Sequence, residues 1–146
     1  MKLSIKKFDG LNTRELFEIY RLRVSVFVVE QNCAYQEVDE ADLTALHLML
    51  RDDGGALAAY CRVLPPEAGG TQALIGRVIA VRRRCGLGSE AVRGAMETAL
   101  ALPGVESLRV EAQSSAVPMY EKLGFQVVSE EYLEDGIPHK SMIYRP

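Results

Sequence analysis

The sequence predicts an α/β protein, an α+β mixed sheet of about seven strands with helices on its faces. Three observations carry this. Apolar residues switch between a period of two and a period of 3.6 in the order β-α-β-β-β-α-β-α-β-β. One strand–helix–strand unit occupies the middle of the chain, Leu74 to Ala112. Hairpin signals flank it on both sides, an order too irregular for a doubly wound fold. The 146 residues suit a single domain, 1–146, without internal repeat or low-complexity segment.

Each element has a local reason. Lys2–Lys7 alternates, with Leu3 and Ile5 on one side, which predicts a short first strand. Asn12 and Glu15 have the spacing of a capping box, and Leu16, Tyr20, Val24 and Phe27 follow at helical intervals. A helix is expected over Thr13–Val29, with the β-branched run Val24–Val29 able to kink it. Glu30–Asp42 carries five acidic residues and reads as a loop. Its readings stay open: a solvated connection or an acidic wall beside a site, in which Glu37, Asp39 and Asp42 bind a cationic substrate or simply hold the loop. Ala45–Arg51 and Ala56–Leu64 are strand-like and joined by Asp52-Asp53-Gly54-Gly55, a hairpin signal. Pro65–Thr71 is a surface loop.

Leu74–Val81 is the next strand, and an amphipathic helix follows it, with Val92, Ala95 or Met96, and Ala99 or Leu100 on one stripe. Pro103-Gly104 ends that helix. In Val105–Ala112, Leu108, Val110 and Ala112 face one way and Arg109 and Glu111 the other. Ser114 or Ser115 can cap a short helix from near Pro118 to Gly124. Phe125–Leu133 and His139–Tyr144 read as two last strands around a turn at Glu134–Pro138.

Composition narrows the function classes. A charged fraction of 25% and a hydrophobic fraction of 48% are those of an ordinary soluble protein. The net charge of −3 argues against general nucleic-acid binding, which needs a broad basic face. No run is long and apolar enough for a membrane span or a signal peptide, and three scattered cysteines form no disulfide framework or CxxC pair. A cytoplasmic protein with no membrane partner is the expectation.

Against that acidic background, Arg82-Arg83-Arg84-Cys85-Gly86-Leu87-Gly88-Ser89 gathers three guanidinium groups at a strand-to-helix turn. The first turn of a helix leaves N–H groups without internal partners, and the helix dipole makes that end positive. Glycines let the main chain approach a ligand, and arginine binds phosphate oxygens bidentately. A site for a phosphate-bearing small ligand, in particular a pyrophosphate, is expected. The plainer alternative is a tight turn with solvent-facing arginines. Gly86-x-Gly88-x-x-Ala91 also fits a loose dinucleotide fingerprint, but hairpins rather than βαβ units surround it. A Walker A loop is excluded, since no Gly-Lys-Ser/Thr follows. Arginines and a helix end could also activate Cys85, but spacer or oxidation target suits it better than nucleophile.

Val78-(four residues)-Arg83-(two residues)-Gly86-Leu87-Gly88 resembles the acyl-CoA motif of the GNAT N-acyltransferase superfamily. Val117–Phe125 (VPMYEKLGF) resembles its YEKLGF segment. Leu22–Asp42, His47 and Glu134–Met142 are similar to the ElaA-like branch, so the resemblance covers nearly the whole chain. It implies a GNAT-like fold whose central strand splays from its neighbour, with the pantetheine arm of acetyl-CoA in the gap. Ile79, Ala80 and Val81 would then meet pantetheine, and Arg83, Arg84, Cys85, Gly86, Leu87, Gly88 and Ser89 the pyrophosphate, with no metal needed. The implied reaction is direct transfer of an acetyl group to an amine of a small molecule or peptide. Tyr120 stands at the position of the acid that protonates the departing thiolate. The base is open among Glu111, His47, His139 and a water. Also open are a homodimer, a catalytically silent coenzyme-binding module, and a nucleotide-dependent oxidoreductase.

Overall fold

The computed structural model describes residues 1–82 and 85–146. Eight strands form one mixed sheet: β1 (Lys2–Lys7), β2 (Leu46–Arg51), β3 (Leu57–Leu64), β4 (Gln72–Ala80), β5 (Ser107–Gln113), β6 (Gln126–Val127), β7 (Tyr132–Glu134) and β8 (Ile137–Tyr144). The order is β1-β2-β3-β4-β5-β8-β6, with β7 also pairing β8. Among the described residues only β4 and β5 run parallel, joined through the helix α2 (Leu87–Leu100); α1 (Thr13–Arg23) precedes β2, and α3 (Val117–Lys122) follows β5.

Burial follows the alternation. Ala91, Val92, Ala95 and Ala99 of α2 pack with Leu48, Cys61, Val63, Ala73, Ile75, Leu108 and Val110 in the larger core. Ile19 of α1 packs with Met49 and Tyr60 in a smaller core. Neighbouring residues on β2 and β3 thus serve opposite faces, as a period of two requires. The capping box is complete: the Asn12 side chain accepts from the Glu15 amide at 2.8 Å, and the Glu15 carboxylate from the Asn12 amide at 2.9 Å.

Three expectations need correction. The helix expected over Thr13–Val29 is α-helical only to Arg23, and Val24–Glu30 continues as a π-helix. Bonds from the Gln31 amide to Val26 and from the Cys33 amide to Val28 mark the wider turn. Stiff Val24, Val26, Val28 and Val29 crowd the narrower α-turn, and wide turns of this kind gather at functional sites. Phe125–Leu133 is not one strand but β6 and β7 on a single edge of β8. Between them the Ser129 hydroxyl accepts the Ser141 amide at 2.9 Å, replacing a ladder bond. Neither Ser114 nor Ser115 caps α3. A 3₁₀ turn, Ser114–Ala116, leads into it instead, and the Ser114 hydroxyl donates to Glu131 at 2.8 Å.

The feature that positions the site is in β4. Tyr60 pairs with Ile79 and Arg62 with Gly76, so Arg77 and Val78 together stand opposite Cys61. Arg77 has φ of 53°, a conformation that non-glycine residues seldom adopt. Such a bulge bends its strand. Pairing of β4 with β5 runs only from Gln72 to Leu74, so the β5-facing edge of residues 75–80 has no partner strand among the described residues.

Candidate functional site

The opening between β4 and β5 is a cleft of about 550 Å³. Residues 74–80 of β4 line one wall, Glu111, Ala112 and Gln113 of β5 the other, with Gly88 of α2 and Met119 and Tyr120 of α3 behind. Val26 and Phe27 of the π-helix, with Tyr35 and His139, line the front. The α2 N-terminus closes one end: Gly86 is its N-cap in the left-handed conformation, with φ of 75°. A helix start without a side-chain cap keeps N–H groups available for an anion.

The residues expected to bind coenzyme fall unevenly around this end. Ile79, Ala80 and Gly88 line the cleft. Val81 is exposed beyond β4, and its amide bonds back to Ala58 of β3 at 2.9 Å. Cys85 is exposed, Ser89 sits half-buried in the first turn of α2, and the Leu87 side chain turns into the core. Arg83 and Arg84 lie outside the described residues.

Tyr120 is set by the end of α3. The Phe125 amide bonds to the Tyr120 carbonyl at 3.1 Å and the Gly124 amide to the Glu121 carbonyl at 3.0 Å, the two bonds of a Schellman turn. The hydrophobic contact that accompanies this turn is the edge-to-face pair Tyr120–Phe125, 5.6 Å between centroids. Tyr120 is 6% exposed, and burial pushes its phenol well above the ordinary value of 10.0. It therefore stays protonated and able to donate.

The three base candidates separate. His47 is fully buried away from the cleft: Nε2 faces the Asp42 carbonyl at 2.9 Å, so it carries the proton, and Nδ1 accepts from the Tyr60 hydroxyl at 2.7 Å. Burial lowers its pKa, and the residue is structural. Glu111 does reach the cleft, but its carboxylate accepts from Arg109 at 2.6 Å, from Ser141 at 2.5 Å and from Tyr132. Burial would raise its pKa, yet the bonds from Ser141, Tyr132 and Arg109 outweigh it and the value falls, which makes a weak base. His139 also lines the cleft; its Nδ1 lies 2.7 Å from the Ile137 carbonyl, so Nδ1 carries the proton and Nε2 is the basic nitrogen, 3.5 Å from Glu134. Among the described residues, no group of three His, Cys, Asp or Glu could hold a metal ion.

Much of the acidic loop is exposed, but its Glu37, Asp39 and Asp42 are taken up in ion pairs and hold the loop. Arg23, wholly buried, binds Glu37 through Nε at 2.6 Å and Asp42 through a terminal nitrogen at 2.7 Å. Arg62 binds Asp39 at 2.7 Å and Asp42 at 2.9 Å. Arg77 Nε lies 2.8 Å from Glu37, near enough for an ion pair but without the alignment of a hydrogen bond. Three guanidinium groups thus take up the three carboxylates, fixing the loop that carries Tyr35 to the front of the cleft. Sequence reading allowed that these carboxylates hold the loop but did not name their arginine partners, although an arginine in the middle of each of two buried strands is a usable signal. A buried charge must find a partner.

Residues 26–146 match the family model described as an acetyltransferase (GNAT) domain. The chain belongs to the GNAT family, in its ElaA-like branch. It is 44% identical over 145 residues to a UPF0039 protein of Schizosaccharomyces pombe, covering 97% of this chain and 95% of that one. The crystal structure of an acyl-CoA N-acyltransferase from Pseudomonas aeruginosa superposes with a TM-score of 0.87 at 39% identity. That of Escherichia coli ElaA superposes with a TM-score of 0.91 at 32% identity, and both comparisons cover 99% of each chain. The GNAT membership carries acyl-CoA-dependent acyltransferase chemistry as the general reaction class. No helix among the described residues is long and apolar enough to cross a membrane.

Proposed function

We propose that the protein transfers an acyl group, acetyl in the simplest case, from acyl-CoA to a primary amine of a small molecule or peptide. The observation that carries this is the unpaired edge of residues 75–80, opening beside the uncapped start of α2. Pantetheine is an amide chain, and laid along that edge it supplies the missing ladder partner, with Ile79 to Val81 in contact. The pyrophosphate then reaches the turn from Arg83 to Ser89, where helix N–H groups and arginines meet it without a metal.

An ammonium has no lone pair, so attack on the thioester needs a proton acceptor. We assign this to His139 Nε2, directly or through a water, because Nδ1 is already engaged and Glu111 is too weakly basic. Glu111 contributes negative charge that favours an incoming ammonium. Main-chain N–H of the bulged strand would hold the oxyanion, and Tyr120 would protonate the departing thiolate. Ordinary values of about 10 for a phenol and about 8.5 for a thiol leave a step of about 1.5 units in water. Burial raises the Tyr120 phenol further and would raise the thiol formed in the same cleft with it.

The test is release of free thiol from acetyl-CoA with a panel of primary amines and peptide N-termini. Amine-dependent release is expected. Binding of coenzyme without release across the panel would instead mark a silent coenzyme-binding module. NAD(H) stabilising the fold more than coenzyme A would mark an oxidoreductase.

A further inference from the structure

Gly76 sits in the middle of β4, lines the cleft, and lies opposite Arg62 in the ladder. Its backbone is outside the left-handed region, so nothing in its conformation demands glycine. Glycine inside a strand is unfavourable, because it gives up the most chain freedom and packs nothing. A Cβ built there meets no atom within 4 Å. The missing side chain therefore leaves a hollow rather than relieving a clash. The neighbour that could fill it is held back, since the Arg62 guanidinium is bound to Asp39 and Asp42.

The hollow has a definite side and a definite chemistry. Ile75 and Tyr120 belong to the core on the α2 and α3 face, and alternation turns Gly76 to the other face. A thioester whose sulfur lies at Tyr120 directs its acyl group away from α3, over Gly76. The cleft lining supplies apolar Leu74 of β4 and Val26 and Phe27 of the π-helix; of its charged side chains, Arg62, Arg77 and Glu111 have their charged ends tied to partners.

We propose that Gly76 determines acyl-chain length, and that the hollow over it accepts acyl groups longer than acetyl. This rests on coenzyme A binding in the β4–β5 opening. A straight aliphatic chain suits the apolar part of that lining, and each methylene buried there should tighten binding about fourfold.

Calorimetric titration with free coenzyme A, acetyl-CoA, butyryl-CoA and hexanoyl-CoA tests it on the wild type, Gly76→Ala and Gly76→Val. The wild type should bind progressively more tightly from acetyl to butyryl to hexanoyl. Gly76→Val should abolish that gradient while free coenzyme A still binds, and Gly76→Ala should flatten it. Alanine adds one methyl into open space and keeps the fold, so it serves if valine does not. A flat series in the wild type, as expected if the acceptor fills the hollow, would overturn the inference. So would a gradient that survives both substitutions. Failure of free coenzyme A to bind the wild type would instead overturn the proposed function.

Discussion

Tyr120 and Arg23 illustrate two ways in which one side chain is fixed, by a turn and by charge. The Schellman turn places the Tyr120 ring on Phe125 and leaves burial to keep its phenol protonated. Replacing it with Phe preserves the ring contact and removes only the hydroxyl. Turnover should fall roughly 10²-fold with little change in coenzyme affinity, read by thiol release and calorimetry. Unchanged turnover would remove Tyr120 from the acid role. Arg23 is different, because its partners Glu37 and Asp42 are buried with it. Arg23→Ala should cost about 3–5 kcal/mol in urea unfolding, the usual penalty for stranding buried carboxylates. A loss below about 1 kcal/mol would mean that the charges reach water instead. Tyr120 was legible through the resemblance of Val117–Phe125 to the YEKLGF segment, since its pattern alone also fits a packed helix residue. Sequence pattern misses the partners of Arg23, because Glu37 and Asp42 are brought to it only by the folded loop.

Among the elements, α3 is short and depends on its last turn. Gly124 has φ of 99°, and a Cβ there would come within 3.0 Å of the Tyr144 ring. Gly124→Ala should therefore destabilise the fold by about 1–2 kcal/mol, through left-handed strain and displacement of that ring. Because the same turn orients Tyr120, activity should decline as well. A thermal melt matching the wild type would contradict this. Most elements follow from the sequence to within a few residues, since the period of apolar residues is a local property. The exceptions are settled by partners elsewhere. Both β6 and β7 pair the same edge of β8 and are separated where the Ser129 hydroxyl takes the Ser141 amide, and the bulge at Arg77 is visible only in its pairing with β3.

At the scale of the molecule, acid should act in two stages. His47 is buried neutral, and an unfolded chain protonates it near its ordinary value of 6.5. Stability tied to it is complete above that value and declines as pH falls below it. Asp39, Asp42 and Glu111 have folded pKa values lowered, the two aspartates by their arginine partners against the opposing effect of burial. Their contribution is full above about pH 4 and is lost as pH falls through the folded values. The urea midpoint should thus drop first below pH 6.5 and again below about 4, with His47→Gln removing the upper step. A midpoint flat from pH 7 to 5 would contradict the buried neutral histidine.

The mixed sheet and its parallel pair at β4 and β5 were legible from strand order, and the glycine turn pointed to the end of the cleft where α2 starts. The width of the opening was not, because it depends on a bulge and on a loop held by three arginines. Hydrogen exchange of the amides of residues 75–80, with and without saturating coenzyme A, tests that opening most directly. Marked slowing along this stretch is expected as pantetheine takes the place of a neighbouring strand. Unchanged exchange there, while calorimetry registers the coenzyme bound, would contradict it.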